Sequence, residues 1–340
     1  MPEHPMLTVS LPTCDGARHL AEALRSIRAQ EGEGVAFDLV VCDDRSGDET
    51  LWVVADMAGD RARVVVNSER LGLAANWNRC AAECRTPLVA IFHQDDVMRP
   101  GHLAAHLAAF EARPDLGMAC GAAEVIDDDG RPVPPSVVEP GGVGPVDRTF
   151  EPGEFVRELA VGNPLRCSAV TLRVASHAAV GGFEPAYRYV VDWDCWLRLA
   201  RAFPVAWLAR PTVAVRWHPS SETHRFKKGT LDLDETARLL DALYRDDGPR
   251  LDDARGLRRR ADRRLARAFL NRAYDALRGG DPILARRCLG RSLRLDPGLL
   301  GTIAADPRLA ARLVLLAVAP GLATRRRQGP EGSNLPCPRS

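Results

Sequence analysis

The sequence predicts an α/β fold built on a mostly parallel sheet flanked by helices, with an all-helical extension behind it. Three observations carry that expectation. Strand-like apolar runs alternate with helix-spaced ones from residue 6 to residue 112, the pattern of consecutive βα units. Leu88-Val89-Ala90-Ile91-Phe92 is continuously apolar, as a strand covered on both faces is. It then stops at His93-Gln94-Asp95-Asp96, where two adjacent acids repel each other and neither tolerates burial without a partner. A hard divalent cation such as Mg²⁺ or Mn²⁺ relieves both problems. The carboxyl end of a parallel strand is also where open α/β sheets hold ligands. A solvated turn leading into a helix near Pro100 accounts for the same residues equally well.

The elements follow in order. A first strand over residues 6–11 ends at Pro12-Thr13. Ala17, Leu20, Ala21, Leu24 and Ile27 then recur at helical spacing. A second strand over 37–42 is closed by Asp43-Asp44. Ser46-Gly47-Asp48-Glu49 reads as a capping box opening a helix through Met57. Strands over 63–66 and 88–92 alternate with helices over 73–84 and 101–112. A dinucleotide-binding dehydrogenase needs GxGxxG after its first strand; Pro12-Thr13-Cys14-Asp15-Gly16 has one glycine, which demotes that class sharply.

Residues 116–126 form another strand, turned by Asp127-Asp128-Asp129-Gly130. The Pro- and Gly-rich stretch 131–148 reads as a mobile loop, a candidate lid. A helix over 151–160, a strand over 167–172 and a short helix over 174–180, stopped by Gly181-Gly182, come next. Asp192 opens a helix with an apolar stripe of Trp193, Trp196, Leu197, Ala200 and Phe203, and a strand over 213–217 precedes His218. Beyond about residue 230 the pattern is helical only. Residues 285–297 look like the second helix of one tetratricopeptide-type unit, and a single unit is an αα-hairpin. An apolar helix over 309–319, flanked by Arg308, Arg312 and Arg325, reads as core packing, with a membrane-surface or partner helix as the alternative. The expected division is 1–228, a helical region 229–327 and a disordered tail 328–340.

Composition excludes several classes. A net charge of +1 offers no global field for nucleic acid or membrane, and 46% hydrophobic with 27% charged residues is ordinary for a globular chain. Nine cysteines form no CxxC pair, so reduced thiols rather than a disulfide framework or zinc site are expected. Residues 1–5 are short and polar, and no apolar run reaches 18 residues, so neither a signal peptide nor a spanning helix is expected, and a cytoplasmic location follows.

Four stretches line up in order: Pro12-Thr13; Val40-Val41-Cys42-Asp43-Asp44-Arg45-Ser46-Gly47-Asp48-Glu49-Thr50; His93-Gln94-Asp95-Asp96; and Asp192-Trp193-Asp194-Cys195-Trp196-Leu197-Arg198. Over residues 6 to about 225 the chain resembles the family-2 glycosyltransferases of GT-A fold. The second stretch is close to that family's "DDGSxDxT" element, Asn76 matches its element after the third strand, and Gly181-Gly182-Phe183 matches its acceptor-side "GGF" turn. The resemblance implies residues 1–228 as the transferase domain and a nucleotide-sugar donor over the strand ends. Pro12, Thr13 and Asp15 would line the base and ribose pocket. Asp44 would accept hydrogen bonds from the base with Asp43 beside it, and Asn76 would join them. It further implies that Asp96 binds a divalent cation on the diphosphate, with His218 near it, and that Asp95 lies by ribose or diphosphate. His93 stands where many members carry an acid. Asp192 matches the general base of inverting members, with Val191 replacing the usual Glu and Asp194 as fallback. Gly182, Phe183, Trp193 and Arg198 fall on the acceptor side, and Arg216 and Lys227 are candidates to meet the diphosphate.

Structural readings stand beside these. Asp43, Asp44 and Asp48 serve turns equally well, Asp192 could be an N-cap, the tryptophans read as core, and Arg198 could lie on a solvated face. The acceptor implied is a glycan, a lipid-linked or a protein-linked hydroxyl. A nucleotide-sugar-binding protein without turnover and a nucleotidyltransferase are the alternatives. The C-terminal helices offer peripheral membrane or protein contact.

Overall fold

The computed structural model of the chain describes residues 5–301 apart from 136, 137, 139, 140, 220, 223–225, 227 and 228. The expected apolar helix over 309–319, the tail 328–340 and Lys227 therefore lie outside the described residues. The chain divides into two compact units, 1–221 and 222–340.

The first unit is a nine-stranded sheet with helices. Its strands are β1 (Leu7–Thr13), β2 (Asp38–Asp43), β3 (Ala62–Val66), β4 (Leu88–Ile91), β5 (Val97–Met98), β6 (Met118–Ile126), β7 (Arg148–Phe150), β8 (Val170–Arg173) and β9 (Val205–Arg216), ordered β3-β2-β1-β4-β8-β6-β9-β5 with β7 paired to β9. The helices are α1 (Ala17–Ala29), α2 (Thr50–Ala58), α3 (Leu73–Ala82), α4 (His102–Ala112), α5 (Val156–Leu159), α6 (Val174–Ala179) and α7 (Val191–Ala202). β1 to β4 pair in parallel. β8 enters antiparallel to both β4 and β6, while β6 and β9 are parallel. Two reversals restore direction, so β1–β4, β6 and β9 all point the same way. Their carboxyl ends, with the amino end of β8, form one edge of the sheet. The mostly parallel expectation thus holds for strand direction, while β5, β7 and β8 make the sheet mixed.

β1 reads Leu-Thr-Val-Ser-Leu-Pro-Thr and is buried throughout. Its alternate residues Leu7, Val9 and Leu11 join Leu20, Leu24 and Ile27 of α1 and Leu103 and Phe110 of α4 in one core. The opposite face meets α3, where the Ser10 hydroxyl donates to the Cys80 carbonyl at 3.3 Å. Both faces are therefore covered, as parallel strands require.

Several expectations shift. The capping box does not form: α2 starts at Thr50, and Glu49 in the N-cap position makes no side-chain cap bond. Asp48 instead accepts from the Thr50 amide at 3.0 Å and from the Ala17 amide at 3.2 Å, so it ties two loops together. The described residues of the 131–148 stretch are pinned rather than loose. Val133 N bonds Val125 O, Gly142 N bonds Pro164 O, and the Trp207 indole donates to Gly144 O at 2.9 Å. The stretch ends in β7, which satisfies the edge of β9. β9 begins eight residues before the expected strand because its first half serves β6 and β7 and its second half β6 and β5. Eight of the nine cysteines fall among the described residues, all as free thiols.

The second unit contains α8 (Leu231–Asp246), α9 (Ala254–Arg278) and α10 (Pro282–Leu295). Gly280, at φ 80°, turns the chain between α9 and α10. Asp281 caps α10 by accepting from Leu284 N at 2.9 Å, with Pro282 next. Ala266, Leu270, Ala276 and Ala285 pack the resulting αα-hairpin. The buried Arg272 guanidinium grips the Asp232 carboxylate twice, at 2.7 and 3.1 Å, and also donates to the Gly229 carbonyl.

Removing one partner of a buried pair strands the other charge. Asp232→Ala should lower stability of the full chain by about 3–5 kcal/mol in denaturant unfolding, and Asp232→Leu with Arg272→Met should recover much of that loss. A loss below about 1 kcal/mol for Asp232→Ala would place this pair among exposed ones.

Candidate active site

The common edge of the strands gathers the loops after β1, β2, β3, β4, β6 and β9. Buried carboxylates hold them. Asp43, fully buried, accepts from the Thr13 hydroxyl at 2.8 Å, the Ser46 amide at 2.9 Å and the Ser46 hydroxyl at 2.6 Å. Asp44, 4% exposed, accepts from the Asn67 side chain at 3.0 Å and the Leu71 and Gly72 amides at 2.7 and 2.9 Å. Asn76 donates to the Cys42 carbonyl at 3.1 Å and accepts from Asn67 at 2.9 Å. Pro12, buried, lies in β1 beside Cys42 of β2. Of the expected donor-binding set, Thr13, Asp43 and Asn76 thus spend their polar atoms inside the protein. Asp15 is the exposed member, at φ 48°. It accepts from the Gly47 amide at 2.7 Å and forms an ion pair with Arg70, which bridges the loops after β1 and β3.

Asp95 and Asp96 differ although adjacent. Asp96 is 2% exposed and accepts from the Ser168 hydroxyl at 2.5 Å and the Arg216 amide at 2.9 Å. Burial and the neighbouring Asp95 charge push its carboxyl up to about 8. Asp95 places Oδ2 2.9 Å from His218 Nε2. Burial opposes its ionisation, but the His218 hydrogen bond and the nearby imidazoles win and hold its pKa below the usual value. The nearly buried Arg216 side chain donates to the carbonyls of Asp95, Asp127 and Asp128 and to Glu22, so its guanidinium is committed to the frame.

These residues fit a divalent cation. Ligand atoms of His93, Asp95 and Asp96 lie within 4.8 Å of one another. His93 Nε2 is buried with no hydrogen-bond partner among the described residues, and burial keeps the ring neutral. Carboxylate oxygens with an imidazole nitrogen suit Mn²⁺ or Mg²⁺ with waters completing the shell.

Asp192 sits in the first turn of α7 rather than in the N-cap, which is Val190. Its Oδ1 accepts from the Trp193 amide at 2.7 Å and its Oδ2 from the Asn163 side chain at 2.9 Å. Burial outweighs both bonds and raises the carboxyl to about 6. Burial, and after it the charges of Asp192, Cys195 and Asp96, push up the buried Cys167 thiol. Asp194 is taken by Arg198 at 2.6 Å, and Arg198 also donates to the Val180 carbonyl. Trp193 is buried with its indole on the Leu159 carbonyl at 3.1 Å. Gly182, at φ 72°, leaves no room for a Cβ, which would meet Asn78 Oδ1 at 2.7 Å. Phe183 is fully buried between Trp77 and Trp196, and its backbone exchanges two hydrogen bonds with the Asn78 side chain. Gly182, Phe183, Trp193 and Arg198, expected on the acceptor side, are thus committed to contacts within the protein.

Three site residues carry no sequence-level signal of that role. Gln94 exchanges hydrogen bonds with the Cys14 backbone at 2.9 and 3.2 Å, locking the β4 loop to the β1 loop. Ser168 links His93 N to Asp96. Asn163 orients Asp192, its own Oδ1 fixed by the Leu165 amide at 3.0 Å.

Residues 8–164 match the family described as Glycosyl transferase family 2. Over 260 residues the chain is 30% identical to the uncharacterized protein MT1568 of Mycobacterium tuberculosis (strain CDC 1551 / Oshkosh), covering 72% of this chain and 77% of that one. Similar solved structures include residues 1–349 of S. aureus TarS in complex with UDP-GlcNAc, at TM-score 0.56 and 16% identity over 92% of this chain and 87% of that one. Another is the mannosyltransferase PcManGT from Pyrobaculum calidifontis in complex with GDP-Man and Mn²⁺, at TM-score 0.55 and 16% identity over 93% and 80%. The structural likenesses speak for the GT-A-type sheet; with the matched family and the relative, they make this chain a member of glycosyltransferase family 2.

Proposed function

We propose that the chain is an inverting transferase that moves a sugar from a nucleoside-diphosphate sugar to a hydroxyl of a glycan or lipid-linked acceptor, in polysaccharide biosynthesis on the cytoplasmic side. The observations that carry the reading are the Asp95–His218 pair after β4 and, in the first turn of α7, a buried carboxyl, Asp192, raised to about 6. UDP-GlcNAc and GDP-Man bound to similar structures support a diphosphate donor.

In this reading Asp192 takes the proton of the acceptor hydroxyl as its oxygen attacks the anomeric carbon. The new C–O bond forms on the face opposite the breaking bond to the diphosphate, which leaves with the electron pair. A carboxylate tuned near neutrality is an effective base. His93, Asp95 and Asp96 would hold the divalent cation, with His218 fixing Asp95 through its hydrogen bond, and the cation would supply Lewis acidity to the departing diphosphate. The sequence assigned the ligation to Asp96 with His218; His93 and Asp95 stand beside Asp96 in the candidate set, and His218 contacts Asp95. Asp15 and Arg70 flank the place of the nucleoside as its exposed charged groups.

A thermal-shift panel of UDP, GDP, dTDP and CMP with Mn²⁺ or chelator tests the donor site. One diphosphate should stabilise the chain in a Mn²⁺-dependent way, and Asp95→Ala should abolish that dependence. No shift with any diphosphate would remove the donor site from this edge.

Asp192→Asn should reduce kcat by about 100- to 10,000-fold while leaving the diphosphate shift intact. In the unmodified protein kcat/KM should fall about tenfold per pH unit below roughly 6, because protonation removes the base. An acid limb absent between pH 5 and 7 would exclude Asp192 from that role.

Asn163→Ala should move the acid limb upward by about one pH unit, since a hydrogen bond to the ionised form lowers a pKa. A limb that stays in place while the rate falls would make Asn163 only structural.

A further inference from the structure

One long face of α9 is an arginine ridge. Arg255, Arg259, Arg263 and Arg267 follow one another at i, i+4, with Arg260 beside them, and all five are exposed. The opposite ridge, Leu257, Ala261, Leu265 and Phe269, is buried. Among the described residues no carboxylate pairs with Arg255, Arg259, Arg260 or Arg267, and Arg263 reaches Asp296 only at 3.9 Å. The acid within this stretch, Asp262, is held by Arg258 at 2.9 Å on another side of the helix.

Like charges at i, i+4 destabilise a helix, so this ridge opposes the element that carries it unless a counter-charge covers it. Just over three turns of helix present it as an inclined row rising about 18 Å along the axis, which suits an extended anionic surface. Guanidinium forks match phosphate oxygens in pairs. We propose that this face docks on the anionic phosphate headgroups of a lipid bilayer. The chain beyond it has the same character: residues 307–330 carry five arginines and no acid around an apolar run from Leu309 to Ala319. Lipid fits that combination of basic and apolar residues better than nucleic acid does. The contact proposed is peripheral, electrostatic and weakened by salt, because it is made by arginines on a helix surface. The inference deepens the transferase reading, which expects a lipid-linked acceptor among its candidates, by naming the surface that meets the bilayer.

The test uses the full chain and vesicles of phosphatidylcholine with or without phosphatidylglycerol. Binding should require phosphatidylglycerol and fall as salt rises. The triple variant Arg255→Glu, Arg259→Glu, Arg263→Glu should bind more than about tenfold more weakly, with an unchanged thermal midpoint and unchanged donor hydrolysis. The corresponding triple Lys variant should keep binding, and a triple Gln variant serves if charge reversal prevents folding. Equal binding by the Gln or Glu variant, no preference for phosphatidylglycerol, or tighter binding to duplex RNA than to vesicles would each overturn the proposal. Donor hydrolysis is read separately, so its absence would sink the transferase reading without touching the vesicle result.

Discussion

A buried carboxylate must be surrounded by donors, and at the carboxyl edge of this sheet those donors are the loops themselves. Asp43 draws in Thr13 and Ser46; Asp44 draws in Asn67, Leu71 and Gly72; Asp96 draws in Ser168 and Arg216. Each is worth most because it is shielded from water, where a charge-assisted hydrogen bond is stronger and an unmet one costlier. The loops take their shape from that requirement, and the more exposed groups, Asp15, Arg70 and Asp95, are held out in front of it.

The same requirement explains what the sequence did and did not disclose. The alternation of βα units through residue 112 was legible because short strand-like runs, alternating in β1 and continuously apolar in β4, are separated by helix-spaced apolar stripes. β5 and the first half of β9 were not: two residues make no periodicity, and Ala209-Arg210-Pro211 in the middle of β9 reads as a break. The 131–148 stretch is Pro- and Gly-rich, yet the described part is tethered by backbone bonds to distant partners, which composition does not record.

Within the site, residue types were easier to read than their division of labour. Two adjacent acids signalled charged chemistry, but which faces inward depends on Ser168, 72 residues away. Asn163 and Gln94 act through contacts 29 and 80 residues apart in sequence, and no local spacing announces them. Asn76 and Phe183 matched a family pattern, and the structure shows them spending their bonds on α3, Asn67 and the β2 end, as framework.

Gln94 binding the Cys14 backbone has a thermodynamic corollary. The loops after β1 and β4 already hold each other, and a side chain on Gly16 would collide with Gln94 at 2.0 Å. Few torsions are left there for a guest molecule to freeze. Association on that side therefore draws little on conformational entropy, and its heat reflects the new contacts themselves rather than the ordering of a slack frame.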